Sequence, residues 1–175
     1  MYKSEGFAWN ADSFWQNNVY HQVLTSIQKG LSTKIVFPTS DIRTIHAPQG
    51  SPIIFLQPSS KYTCQKSISG GGVVEDIKVD TIHNMWHSYG ILTGFTSEAE
   101  LIDFITRSSG SNTLLNSSTT ISCLILNRVA FFDTPLDPEL FKITVNKYTV
   151  SRTKIPASIG HSLINLADSI QRLNY

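Results

Sequence analysis

Two aromatic side chains with polar tips, Trp86 and Tyr89, stand three positions apart beside Gly90. Flat rings of this kind can stack on a nucleic-acid base, which contributes about 1–3 kcal/mol per base. Three consecutive glycines, Gly70, Gly71 and Gly72, precede them and have no Cβ to keep another backbone or a ligand at a distance. The pattern predicts a pocket for a planar ligand, with the glycines as a point of backbone approach. Its structural alternative is core packing of the rings and a bulge or tight strand crossing at the glycines.

Further pocket candidates lie earlier in the chain. Trp9 precedes the first predicted helix, whereas Trp15 lies on the apolar face of that helix and is expected in the core. A strand-to-turn edge follows at residues 37–40, where hydroxyl groups could read the edge of a base, although an ordinary Pro-Thr-Ser turn has the same pattern. The candidate base pocket therefore comprises six residues: Trp9, Phe37, Thr39, Ser40, Trp86 and Tyr89.

Two histidines, His83 and His87, are spaced to share one helix face, an arrangement that metal ligands adopt. No third ligand stands at a convincing spacing, and we predict neither a metal site nor a cofactor. The sequence contains no Gly-x-Ser-x-Gly nucleophile motif and no Walker loop. No catalytic residues are therefore assigned, and binding rather than catalysis is expected. A small-molecule or hydrolytic domain, with the two histidines and a nearby carboxylate converging in the same cleft, is the alternative.

The net charge is only +1, but the cations are unevenly distributed. No carboxylate occurs from Ile42 to Val74 or from Phe141 to His161. If these two segments share a face, that face attracts phosphates while the molecule stays near neutrality. The alternative is that scattered lysines keep the surface solvated. The predicted phosphate contacts are Arg43, Lys61, Lys66, Lys142, Lys147, Arg152 and Lys154.

Length and composition point to one domain over residues 1–175, because 41% apolar residues in a chain of this size can build one core. No apolar run approaches the roughly 20 residues that span a bilayer, and the first residues lack the apolar centre of a signal peptide. We expect a cytoplasmic protein with no membrane partner. Cys64 and Cys123 are expected to be reduced, buried thiols, with a disulfide as the less favoured alternative.

Hydrophobic periodicity and turn signals predict an α+β protein on a mixed, barrel-like sheet. Ser97 and Glu100 form a capping box that opens a helix. Pro38 is expected to stop the strand before it, and residues 108–119 to form a loop. The remaining predicted elements are a helix at 13–28 capped by Asp12 or Asn10, strands at 34–37, 52–57, 71–79 and 120–132, a short helix within 80–89, a helical turn at 137–138 and a C-terminal helix at about 162–173.

The order of these motifs resembles the PUA-like domain found at the N-terminus of HNH restriction endonucleases, a group related to the EVE, ASCH and YTH domains. The resemblance covers about residues 7–155. It rests on the glycine run at 69–72, the Trp-x-x-Tyr-Gly segment at 86–90, the Thr-Gly turn at 93–94, the Ser-x-x-Glu helix start at 97–100, the strand at 121–126 with the double phenylalanine at 131–132, and the basic, tyrosine-bearing strand at 143–148.

The resemblance implies a PUA-like pseudo-barrel of mixed β-strands flanked by helices. It also implies a reader of modified double-stranded DNA, which would flip the modified base into an aromatic pocket. RNA, as in ASCH- and YTH-like proteins, is the alternative partner. In that family the domain directs an HNH nuclease, but these 175 residues contain no such module and no Cys-x-x-Cys motif. Any nuclease activity is therefore expected from a separate module or subunit. The family's Trp-Ile-Pro segment is also replaced, by Leu136-Asp137-Pro138.

Overall fold

The computed structural model describes residues 5–39, 47–110, 114–145 and 152–175. The α+β class predicted from the sequence is confirmed. The elements are β1 (Glu5–Asn10), α1 (Ser13–Gln28), β2 (Lys34–Thr39), β3 (Pro52–Pro58), β4 (Lys66–Thr81), α2 (Ile82–Tyr89), α3 (Glu98–Ser108), β5 (Thr120–Leu136), β6 (Arg152–Pro156) and α4 (Ala157–Asn174), with single 3₁₀ turns at Gly90–Thr93 and Pro138–Phe141.

The six strands form one mixed sheet in the spatial order β2-β5-β4-β3-β1-β6. Strand β1 runs parallel to β3, and every other described pairing is antiparallel. Within the described ranges the sheet is not closed, since β2 and β6 are its two edges. The barrel expected from the resemblance is therefore replaced by an open sheet.

The alternation of side chains along β1 shows how the core is divided. Phe7 belongs to a large apolar cluster that also contains Trp15 of α1 and Leu101 of α3. Ala8, the next residue, belongs to a second cluster, which contains Leu163 of α4. Helices α1 and α3 therefore cover one face of the sheet and α4 covers the other.

The first helix begins and ends where the sequence predicts, because Asp12 Oδ1 accepts hydrogen bonds from the backbone N–H of Phe14 (2.8 Å) and Trp15 (3.2 Å). The prediction that Pro38 stops β2 is wrong, since the strand continues to Thr39. Strand β2 is a sheet edge and pairs only with β5, so the missing N–H of proline can face away from the ladder.

The last helix starts at Ala157 rather than near 162. The Ser-Ile-Gly sequence at 158–160 looks like a turn, but Gly160 lies inside the helix and serves its packing. A Cβ at Gly160 would lie 2.6 Å from Pro52 Cγ of β3. Glycine at this position therefore lets α4 lie directly on the sheet.

The glycine run lies in the middle of the sheet. Gly70, Gly71 and Gly72 are buried within β4, and a Cβ on Gly70 would stand 2.4 Å from the Ala130 carbonyl oxygen of β5. A Cβ on Gly71 would stand 2.5 Å from the carbonyl oxygen of Ile53 in β3. The structural alternative for these glycines, a tight strand crossing, is therefore what the fold shows, and their role as a point of backbone approach for a ligand stays a prediction. These glycines bring neighbouring strands together, at a place where the pairing register of β4 and β5 shifts.

None of the helices within the described ranges combines the length and the hydropathy needed to cross a bilayer.

Candidate nucleic-acid interface

Three of the predicted site residues meet at the β1–β6 side of the sheet: Trp9, Phe37 and Arg152, here called the Trp9 cluster. Trp9 and Arg152 are register partners in the antiparallel pair of β1 and β6. The Arg152 guanidinium carbon lies 5.6 Å from the centroid of the Trp9 ring, and the Trp9 and Phe37 rings are 5.7 Å apart. Trp9 and Arg152 are half-buried, so each keeps part of its surface accessible.

The contact between Trp9 and Phe37 requires a strongly curved sheet. Strands β1 and β2 are separated by β5, β4 and β3. Four inter-strand steps of about 4.8 Å would place them roughly 19 Å apart in a flat sheet. Trp15 of α1 packs between these strands on the concave face of the sheet. Its ring centroid lies 4.6 Å from that of Phe37 and 5.5 Å from that of Phe55 in β3. The sheet is therefore open but bent around an aromatic core.

Phe37 is largely covered by its neighbours. It is 9% exposed and packs edge-on against the fully buried Trp15. The Trp15 indole nitrogen donates a hydrogen bond to the Thr93 carbonyl oxygen at 3.0 Å, which fixes the ring against the 3₁₀ turn. The expectation that Trp15 is a core residue is confirmed. Within the Trp9 cluster, Trp9 is the ring that retains a surface for stacking.

Phe7, which is not among the predicted site residues, is the second aromatic residue that contacts Arg152. The Phe7 ring centroid lies 5.7 Å from the Arg152 guanidinium carbon, on the same face of β1 as Trp9. An aromatic pair at positions i and i+2 of a strand is the sequence signal that indicates a shared face. Arg152 Nη1 is buried, and no group within the described ranges accepts a hydrogen bond from it. The guanidinium thus lies beside two aromatic rings and has a donor for which the described residues supply no acceptor.

The other pocket candidates lie elsewhere or outside the described residues. Trp86 and Tyr89 lie on α2, half-buried and packed against the core cluster that contains Trp15. No ring contact within the described ranges joins them to Trp9 or Phe37. Thr39 ends β2 opposite Ser122 and is half-buried. Ser40 lies outside the described residues.

Five of the seven predicted phosphate contacts are described; Arg43 and Lys147 are not. Lys154 shares the Trp9 face of the sheet, since it is the register partner of Phe7, and it forms a 3.0 Å ion pair with Glu5. Lys142 is exposed at the end of the turn after β5. Lys61 is exposed and lies 5.5 Å from the centroid of the Tyr62 ring.

Lys66 lies on the other face of the sheet from Arg152. Its Nζ donates to Asn10 Oδ1 at 3.0 Å, and Asn10 follows Trp9 in β1, so the two side chains leave opposite faces. Lys66 and Asn10 line an open cleft of about 580 Å³ beside the start of α1. Lys66 and Arg152 thus do not meet the condition that the cations share one face, because the sheet separates them, and their roles as phosphate contacts stay predictions.

The structure adds a third group to the histidine pair. Glu98, the first residue of α3, brings a carboxylate to His83 and His87 of α2, and ligand atoms of all three lie within 4.8 Å of one another. His83 Nδ1 is 3.3 Å from Glu98 Oε2. A side-chain hydrogen bond from Ser117, and the neighbouring histidines, hold the pKa of Glu98 below its usual range. Helical spacing does not reveal Glu98, because this residue lies on another helix.

Comparison with known proteins identifies similar structures but no sequence family. No protein-family model matches this chain, and no curated protein matches it. Solved structures of an ASCH protein from Zymomonas mobilis overlap it. A tyrosine-to-phenylalanine variant has a TM-score of 0.48 at 14% identity, covering 92% of this chain and 97% of that one. The ASCH protein without a named substitution gives 0.47 at 14% identity (92% and 94% covered), and a serine-to-alanine variant gives 0.47 at 13% identity (94% and 97% covered).

Proposed function

We propose that this protein binds nucleic acid at the Trp9 cluster and reads a modified base in double-stranded DNA. The observation that carries the proposal is the half-buried Trp9 ring with the Arg152 guanidinium stacked against it. An accessible indole offers a π-face to a base, and a guanidinium offers both a second flat surface and a positive charge to phosphate. Arginine is suited to this position because its flat, delocalised charge stacks and donates in a fork.

The surroundings of the cluster agree with a backbone-binding surface. Lys154 lies on the same face of β6 as Arg152, two residues further along the strand. Its ion pair with Glu5 is exposed, with 70% of the lysine side chain accessible, so a phosphate can compete for the ammonium group. Backbone contacts of this kind position a nucleic acid without reading its sequence, whereas the base at Trp9 would supply the discrimination.

Under this proposal the protein is a cytoplasmic binding module rather than an enzyme. A base in a duplex must leave the stack to reach the indole, and a modified or unpaired base leaves it at lower cost. A separate HNH nuclease module or subunit would then act on the DNA. Single-stranded RNA, whose bases are already accessible, is the alternative target.

Fluorescence anisotropy at one stated salt concentration tests the proposal. The probes are one duplex carrying cytosine, 5-methylcytosine, 5-hydroxymethylcytosine, its glucosylated form or N6-methyladenine, and the matching RNA. Preference for one modified duplex supports the DNA reader. A requirement for the 2′-hydroxyl supports the RNA alternative. Equal, weak binding of all probes would reduce the interaction to phosphate attraction and contradict base reading.

Matched variants locate the site. Trp9→Leu keeps apolar bulk without a stacking face, and we expect about tenfold weaker binding from the lost base stack. Arg152→Lys keeps the charge but loses the flat guanidinium, so it should weaken binding less than Arg152→Ala does. Arg172→Ala is the control, because Arg172 lies on α4, on the far face, and pairs with Asp168. If nucleic-acid affinity is unchanged in both Trp9→Leu and Arg152→Ala, the binding site lies outside the Trp9 cluster. Trp86→Ala is then the next variant to measure.

A further inference from the structure

We propose that His83, His87 and Glu98 form a Zn²⁺ site that joins α2 to α3. Two imidazoles and one carboxylate form a ligand set that zinc accepts in proteins, with water completing the tetrahedron. All three side chains are accessible to an incoming ion, since both histidines are exposed and Glu98 is half-buried. The site is separate from the Trp9 cluster, which is built from β1, β2 and β6.

The spacing of the donors fits one ion. With bonds of about 2.0–2.2 Å to nitrogen and oxygen, two ligands of a tetrahedral zinc stand roughly 3.3 Å apart. His83 Nδ1 and Glu98 Oε2 are already 3.3 Å apart. His87 follows His83 by one helical turn, and the centroids of the two rings are 4.2 Å apart. The ligand atoms of all three residues lie within 4.8 Å of one another.

The loop before β5 holds the start of α2 in place. The Ser117 carbonyl oxygen accepts a hydrogen bond from the backbone N–H of His83 at 3.0 Å. Outer contacts of this kind help to fix the geometry of metal ligands. The backbone of Ser117 thereby positions His83 for the proposed site.

Helix capping supports the same arrangement. Thr81 Oγ1 accepts a hydrogen bond from the Asn84 backbone N–H at the start of α2, and Ser97 Oγ accepts one from Glu100 at the start of α3. Glu98 is thus fixed at the first position of α3 and faces the histidine side of α2. An ion pair between His83 and Glu98 would involve only those two residues, whereas a metal ion would be bound by His87 as well.

Isothermal titration of the full, untagged chain with Zn²⁺ tests the site. We expect one saturable Zn²⁺ per chain, with affinity at least tenfold lower in His87→Ala and in Glu98→Gln. His161→Ala is the matched control, since His161 lies on α4 on the far side of the sheet, and it should bind like the parent.

Thermal unfolding gives a second readout, because an ion that binds the folded state alone raises the melting temperature. The increase on adding Zn²⁺ should be present in the parent and in His161→Ala, and absent in His87→Ala. The proposal is overturned if Zn²⁺ does not saturate at one per chain, or if His87→Ala and Glu98→Gln bind as the parent does. An equal loss in His161→Ala would also overturn it, since that outcome indicates nonspecific histidine binding.

Discussion

The rings of Trp9 and Phe37 lie 5.7 Å apart, although three strands separate β1 from β2 in the sheet. Their contact is a consequence of the sheet's curvature, and it gives Trp9 a rigid partner from the opposite edge. Phe37 is in turn held by the buried Trp15. Substitutions should therefore distinguish Phe37, which supports the Trp9 ring, from Trp9, the residue proposed to contact nucleic acid.

Phe37→Leu should lower the free energy of unfolding by about 1 kcal/mol, since it reshapes a packed aromatic core while retaining most of its volume. Phe37→Ala, which leaves a cavity, should lower it by about 3–5 kcal/mol. Urea unfolding measures both. Nucleic-acid affinity should fall less in Phe37→Leu than in Trp9→Leu, and the reverse order would identify Phe37 as the contacting ring.

Alanine at Gly70 or Gly71 should destabilise the sheet strongly. The added Cβ would lie within 2.5 Å of a carbonyl oxygen of a neighbouring strand, and backbone cannot yield as a flexible side chain does. We expect at least the 1–3 kcal/mol typical of overpacking. Gly72→Ala is the matched control, because its Cβ first meets the Val129 side chain at 2.9 Å and should cost less. Equal losses at all three positions would contradict this interpretation.

Substitutions of Asp12, the N-cap residue of α1, should show that it stabilises the protein through its hydrogen bonds. Asp12→Ala leaves the N–H groups of Phe14 and Trp15 without their acceptor and should cost about 1 kcal/mol in urea unfolding. Asp12→Ser supplies another acceptor and should recover most of that loss. If the two variants are equally destabilised, the contribution of Asp12 is not capping.

Stability should fall at alkaline pH because of Cys123. Burial raises the pKa of this thiol to about 12, from an ordinary value of 9.0. Between these values the unfolded chain releases a proton that the folded chain retains, so rising pH favours unfolding. The loss should reach about 1.4 kcal/mol by pH 10.

Urea unfolding at pH 8 and pH 10 measures this loss. Cys123→Ala should remove that part of the pH dependence, while Cys64→Ala, at the half-buried cysteine, should keep it. A parent-like alkaline loss in Cys123→Ala would assign it to other groups.

Local sequence patterns predict an element well when its own residues, rather than its pairing partners in the fold, determine it. Helix α1 follows from an apolar stripe and the Asp12 cap, and both are visible in sequence. The strands β4 and β5 are longer than predicted, since β4 runs from Lys66 to Thr81 and β5 from Thr120 to Leu136. The added residues are paired across the two strands, as Ile68 with Leu136 and Thr81 with Thr120, and propensity alone does not reveal such pairing.

The residue types of the proposed site are visible in the sequence, but their grouping is not. Trp9, Phe37 and Arg152 each stand out as candidates, yet only the bend of the sheet brings β2 close to β1 and β6. The same types on α2, Trp86 and Tyr89, have no described ring contact with them. Glu98 was missed because the fold, not helical spacing, brings it to His83.

The pairing of β1 with β6 also sets when the Trp9 cluster can form during synthesis. A ribosome that has made Trp9 must still add nearly the whole described chain before Arg152 exists. At about 5–20 residues per second, that interval is on the order of ten seconds. Until then β1 has β3 on one side and no β6 on the other, and the indole has no guanidinium against it. A nascent chain that stops short of Arg152 therefore lacks this pair, and the pair exists only once synthesis has passed Arg152.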